Sequence, residues 1–317
     1  MNQWRKTEVD GWDAWVGETE LIAVTIVPEL GGKAVSLQNR KTGREWLWRS
    51  DKPLGNEGYG SSFAAGDGSG WDEMFPGINA GAYPLAPWQG RAIPDHGEVW
   101  SRAWEHQATS SALSCRIGGV QFPYVLEKRY TFPAADTLHI EYTVTNLSGA
   151  PFAFLWAAHP LLQVREGMKL HVPPELTEIE VSYSEEGRLG AFGSKQLWPL
   201  ASGATGEQVD LSTVESNNGR FAEKYYFTSR LGPGSGYAGI SDPATGEALM
   251  FRFPADKVPY LAIWANYGGF GGNYHVALEP ATGRMDELAH AFRQGEAAVV
   301  PARSGYRWYL EAKAVCS

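Results

Sequence analysis

Four stretches of this 317-residue chain carry ionisable groups in settings that call for an explanation. Residues 154–162 read FLWAAHPLL, an apolar run interrupted by His159 and followed by a proline. Residues 275–283 read HVALEPATG, in which Glu279 ends an apolar alternation just before Pro280. PDHGEVW, residues 94–100, sets His96 between an aspartate and a glycine, and GSGWDEMFPGINA, residues 68–80, carries Asp72 and Glu73 beside Trp71. Burying a polar group without a partner costs roughly 1–3 kcal/mol on protein mutational scales. His159 is therefore either satisfied by a hidden neighbour or stands where the core opens onto a pocket.

A histidine and a glutamate are the parts of a general acid–base pair, one able to give a proton and the other to take it near neutral pH. A carboxylate close to His159 is expected to raise its pKa and keep it protonated. In HVALEPATG, Val276 and Leu278 fall on one face of a strand, Ala277 and Glu279 on the other. The prolines after His159 and Glu279 are expected to close their strands, which places both groups at a sheet margin where a cleft can form. The two lie 120 positions apart, so only the fold can bring them together. His96 reads as a turn histidine bonded to Asp95 or as a ligand contact, with Gly97 allowing close approach of a ligand to backbone. Asp72 and Glu73 read as adjacent acids in a glycine-flanked loop, either solvated or facing a ligand or metal. No HExxH, EF-hand or clustered Cys/His pattern signals a metal, and no P-loop, GxGxxG or GxSxG is present.

Short β-branched and aromatic runs separated by Pro, Gly and Asn clusters must position these groups. Such runs occur at 21–48, 98–106, 122–132, 138–146, 248–253, 260–265 and 306–314. In LHIEYTVTN, Leu138, Ile140, Tyr142 and Val144 share one face. A short helix is expected around 285–292, and the polar segment 201–219 reads as a surface excursion. Thr42-Gly43 and Thr245-Gly246 read as hairpin turns. The expected fold is all-β, a large antiparallel β-sandwich forming a single domain over residues 1–317.

Composition narrows the function. Apolar residues make up 43% and charged residues 20%, which suits a soluble globular protein. A net charge of −9 argues against nucleic acid and anionic membrane surfaces as partners. No run approaches the roughly 20 apolar residues of a membrane span. The N-terminus shows no signal-peptide core, and Cys115 and Cys316 stand far apart, so a cytoplasmic location is expected. Thirteen tryptophans suit a wide β-core, with a few indole faces available to the C–H faces of sugars.

Taken together, the four stretches resemble the aldose 1-epimerase (galactose mutarotase-like) family. LIAVTIVPELGGKAVSLQNRKTGREWLW is similar to that family's first strands, PDHGEVW to its histidine-glycine motif, FLWAAHPLL to the strand of its second histidine, and ALEPATG to the strand of its catalytic glutamate. The resemblance implies a β-sandwich that binds a monosaccharide in a cleft and needs no cofactor; a monomer or homodimer is the expected state. It implies Glu279 as the base that takes the anomeric proton, His159 as the acid that protonates the ring oxygen, and His96 as a further sugar contact. The family's Asn-Arg motif, whose arginine holds the sugar, is replaced by Trp71-Asp72-Glu73-Met74-Phe75-Pro76. Its substrate-binding aspartate falls near Glu223-Lys224-Tyr225, so Trp71, Asp72, Glu73 and Lys224 become the candidate substrate contacts. The leading expectation is mutarotation of an uncharged or unusual aldose. A hexose-6-phosphate epimerase would need basic groups at the cleft, and a non-catalytic sugar sensor could use the same scaffold. A polysaccharide lyase on a related sandwich lacks its tyrosine and arginine arrangement here.

Overall fold

The computed structural model describes residues 3–315, so Cys316 lies outside the described residues. Two antiparallel sheets face each other. The larger has eleven strands. Across it run, in spatial order, Gln3–Val9, Trp12–Glu18, Ile22–Val27, Lys33–Asn39, Trp71–Met74, Ala157–Gln163, Tyr274–Ala281, Tyr260–Tyr267, Phe221–Phe227, Glu178–Ser184 and Lys195–Leu197. The smaller has eight strands, with Tyr124–Ala134, Thr137–Asn146 and Gly305–Val315 near its middle. The all-β sandwich expected from the turn-punctuated sequence is what forms.

Alternation explains why these segments are strands. Along Thr137–Asn146, Leu138, Ile140, Tyr142 and Val144 are buried, while His139, Glu141 and Thr143 are more exposed. The buried faces meet as rings: Trp71 packs edge-on against Phe251, Trp156 lies 5.1 Å from Trp308, and Tyr142 stacks on Trp308 at 5.2 Å. Such pairs add roughly 0.5–1.5 kcal/mol each beyond their area burial, so the aromatic content is mostly core.

Two expected elements differ. Residues 98–104 form no strand; a strand begins only at Glu105 and runs to Ala108. There the indole N–H of Trp100 donates to the Asp95 carbonyl and that of Trp104 to the Val99 carbonyl, closing local turns. Conversely, Trp71–Met74 is a strand, not a loop, buried along its whole length. The short helix runs from Leu288 to Arg293, within one residue of the expected end, and Thr245-Gly246 turns a hairpin between Tyr237–Asp242 and Glu247–Arg252. No helix among the described residues is long and apolar enough to cross a membrane.

Candidate active site

Register builds the site. Asp72 pairs with His159, Ala157 with Ala281 and Leu161 with Ala277, so His159 falls opposite Glu279. Glu279 pairs in turn with Ala262, and Ala262 with Tyr226. Directly opposed residues share a face with Cβ atoms about 5 Å apart. Asp72, His159, Glu279, Ala262 and Tyr226 therefore form one transverse row on the face of the large sheet turned away from the sandwich interior.

The prolines do not end their strands. His159 and Pro160 lie inside Ala157–Gln163, and Glu279 and Pro280 inside Tyr274–Ala281. Each proline withholds one ladder N–H, yet pairing continues on both sides of it. The pair thus sits on the face of two central strands, not at a sheet margin.

His159 Nε2 stands 3.8 Å from Glu279 Oε1, with both side chains buried. On the other carboxylate oxygen, Lys224 Nζ approaches to 2.7 Å, and the same ammonium lies 2.9 Å from Asp286. Asp286 also accepts hydrogen bonds from Tyr226, at 2.8 Å, and Ser182. Lys224 is therefore neither solvated nor free for an anion. Burial pushes Glu279 up to about 7 against the pull of Lys224. Burial above all, with the Lys224 and Lys33 ammonium groups adding to it, drives His159 well below the usual histidine value. The expectation of a protonated His159 is thereby corrected: desolvation outweighs the single carboxylate.

On the far side of His159, Asp72 is buried beside Lys33 at 3.3 Å, and Lys33 is held by Asp67 at 2.8 Å. Burial, opposed by Lys33, raises Asp72 to about 7. The folded chain then holds a proton that the unfolded chain releases between about pH 4 and 7. Stability falls as pH rises through that window, and the loss persists above it. Asp72→Asn is accordingly expected to stabilise the protein by a few kcal/mol at pH 8 and hardly at all at pH 4, read as urea midpoints. An equal gain at both pH values would contradict this account.

His96 Nδ1 lies 2.8 Å from Asp95 Oδ1, as the turn reading expected, and Asp95 also accepts the Phe63 N–H at 2.8 Å. Against its partial burial, these contacts hold Asp95 down at about 2. The ring of His96 nevertheless reaches the site, 5.3 Å from that of His159. Gly97 serves the chain rather than a ligand: at φ +81° a Cβ there would meet the Phe75 carbonyl oxygen at 2.0 Å.

Trp71 and Glu73 are not part of this face. In a strand, neighbours point to opposite sides; Trp71 meets Phe251 in the interior, and Glu73 accepts hydrogen bonds from Tyr142 and Trp156, both at 2.8 Å. Lys128 approaches Glu73 to 3.5 Å. Asp72 and Glu73 cannot share a metal ion. Among the described residues no group of three His, Cys, Asp or Glu side chains is arranged to hold one.

Sequence reasoning missed several members. Phe63, in the short turn Phe63–Ala65, stacks on His96 at 4.2 Å and 6° and lies edge-on to His159 at 5.1 Å. Asp286, Lys33 and Asp67 carry no local signal that separates them from surface charges. Several buried atoms here lack hydrogen-bond partners: Asp72 Oδ1, His159 Nδ1 and Glu279 Oε1. Buried polar atoms are rarely left so, and a polyhydroxylated ligand would satisfy them. A surface cavity of about 620 Å³ lies elsewhere, on the small sheet, among the mutually paired Glu105, Arg116, Glu127, Arg129 and Glu141.

Solved structures of the same fold cover nearly the whole chain. The Slr1438 protein of Synechocystis matches with a TM-score of 0.68 at 17% identity, over 99% of this chain and 96% of its own. A galactose mutarotase related enzyme from Lactobacillus acidophilus gives 0.68 at 15%, over 95% and 97%. A galactose mutarotase-like protein from Clostridium acetobutylicum gives 0.69 at 12%, over 100% and 99%. Comparison with curated proteins returns no match. The family model for aldose 1-epimerase matches residues 22–185, a span that begins at the strand Ile22–Val27 and holds His96 and His159. With that match over half its length, the chain belongs to the aldose 1-epimerase family.

Proposed function

We propose that this protein is an aldose 1-epimerase that interconverts the anomers of an uncharged sugar, with Glu279 and His159 as its acid–base pair. The observation that carries the reading is the buried His159 Nε2–Glu279 Oε1 approach of 3.8 Å, with Lys224 on the opposite carboxylate oxygen. Glu279 takes the proton of the anomeric hydroxyl. The C1–O5 bond breaks with its electron pair going to the ring oxygen, which takes a proton from His159 Nε2. Rotation about C1–C2 turns the aldehyde over. On closure the ring hydroxyl returns its proton to His159 as it attacks C1, and the new anomeric oxygen takes the proton from Glu279. His96 and Asp72 accept or donate to the remaining hydroxyls, and the sugar ring displaces Phe63 from the two histidines.

A phosphorylated sugar fits poorly. Lys33 and Lys224 are each already paired with two carboxylates, and Asp72 would face the phosphate.

The pH dependence follows from the pair sharing one proton. The working arrangement has that proton on His159 and none on Glu279, whereas burial favours the reverse. Activity is lost when the pair gains a second proton in acid and when it loses its only one. With Glu279 near 7 in the free protein, the alkaline limb of kcat/KM is expected near pH 7 and the optimum below it. The test is NMR saturation transfer between anomers across neutral, deoxy and 6-phosphorylated aldoses, at pH 5 to 9. Exchange above the spontaneous rate for a neutral aldose, with that alkaline limb, is expected. Sugar binding with no excess exchange would make the protein a sensor.

A further inference from the structure

We propose that an aromatic ledge beside Glu279 is a second sugar subsite, so that the preferred ligand is a reducing oligosaccharide of at least two rings. Trp264 is the register partner of both Ala277 and Lys224, and Tyr183 pairs with Lys224 from the next strand. All three therefore lie on the face that carries Glu279. Ala277 is two residues from Glu279 along one strand, and Trp264 is one strand further. With about 3.4 Å per residue and 4.8 Å per strand, the Trp264 and Glu279 Cα atoms are about 8 Å apart.

The ledge is open and preset. Tyr183 and Phe270 flank Trp264 with ring centroids at 6.1 and 6.0 Å. They are 44% and 46% exposed, unlike the aromatics of the core. The Trp264 indole N–H donates to His275 Nε2 at 3.1 Å, so its polar edge is satisfied within the protein and the ring is fixed. A histidine accepting at Nε2 carries its proton on Nδ1 when neutral. Burial drives His275 down to about 3 and so keeps it neutral. That Nδ1 is buried and has no partner. An exposed aromatic face whose own polar edge is already satisfied matches the apolar C–H face of a pyranose. Continuity with the acid–base row makes the occupant a ring linked to the reducing sugar, since the small Ala277 lies between the two places.

Where the reducing end sits depends on the proposed role of His159 and Glu279; the ledge itself does not. Titration of wild-type protein with glucose, galactose, maltose, lactose and cellobiose, followed by calorimetry and tryptophan fluorescence, tests the ledge. At least one disaccharide is expected to bind about tenfold tighter than its reducing-end monosaccharide. Tyr183→Ala and Phe270→Ala should each erase most of that advantage and leave monosaccharide binding and anomer exchange unchanged. Equal affinity for one and two rings overturns the subsite. So does disaccharide binding that is indifferent to both substitutions, or a Tyr183→Ala effect confined to self-association in sedimentation. Ledge-dependent disaccharide binding without anomer exchange would sustain the subsite and sink the epimerase reading.

Discussion

Glu279→Gln is expected to reduce anomer exchange by about a thousandfold, within the range that a positioned acid or base contributes. Glutamine keeps the size of the side chain and an oxygen for Lys224, whose ammonium lies 2.7 Å from the carboxylate. What it loses is the capacity to take the anomeric proton. His159→Ala should cost about a hundredfold, because water can reach the ring oxygen in the space left behind. The two groups act on one bond-breaking event, so the double variant should be scarcely slower than Glu279→Gln alone. Saturation-transfer rates corrected for spontaneous exchange, with circular dichroism as the folding control, decide the matter. A Glu279→Gln protein within threefold of wild type would remove the base from the scheme.

Lys224→Met is expected to lower kcat by about tenfold to a hundredfold and to move the alkaline limb of the pH profile upward. Lys224 opposes the burial of Glu279; without it, the carboxyl holds its proton more tightly and leaves less on His159. That shift separates an electrostatic role from simple disruption, which would lower activity without moving the limb. The protein should also lose stability, since removing one partner of a buried ion pair typically costs about 3–5 kcal/mol. Asp286 sets the sign with pH. Its pKa is held below the ordinary value against burial, mainly by Lys224. A depressed carboxylate stabilises the fold above its unfolded pKa and ceases to do so as pH falls through the folded one. The Lys224→Met deficit should therefore be full at pH 7 and shrink in acid, as denaturant midpoints will report.

The meeting of His159 and Glu279 was legible because both interrupt apolar runs whose alternation gives each side chain a face. His159 and Glu279 share one face of adjacent strands, although their strands run on through the prolines that were expected to close them. The error over Trp71 and Glu73 has a single physical origin. Glycines on either side made WDEM look like a loop, where adjacent acids can turn to one ligand. As a strand it sends Asp72 to one side and its neighbours to the other. Lys224 was ambiguous because long-range pairing alone distinguishes a buried lysine from a solvated one. Asp286, some sixty positions away in sequence, supplies the second charge that makes its burial tolerable. Nothing local in the sequence reports that meeting, nor the stacking of Phe63 on His96.

Asp72 and Glu73 are chemically alike and adjacent, yet they are not interchangeable. The strand Trp71–Met74 is only four residues long, and a slip of one residue would turn every side chain to the wrong face. Glu73 forbids that slip. Beneath the sheet it receives Tyr142 and Trp156, with Lys128 close by, and moving it would strand those donors at about 1–3 kcal/mol apiece. The interior acid is thus the register key, and it frees the acid above it. Under the proposed function, position 72 is then open to substitutions that change which hydroxyl pattern is accepted, while the frame holding His159 opposite Glu279 stays in place.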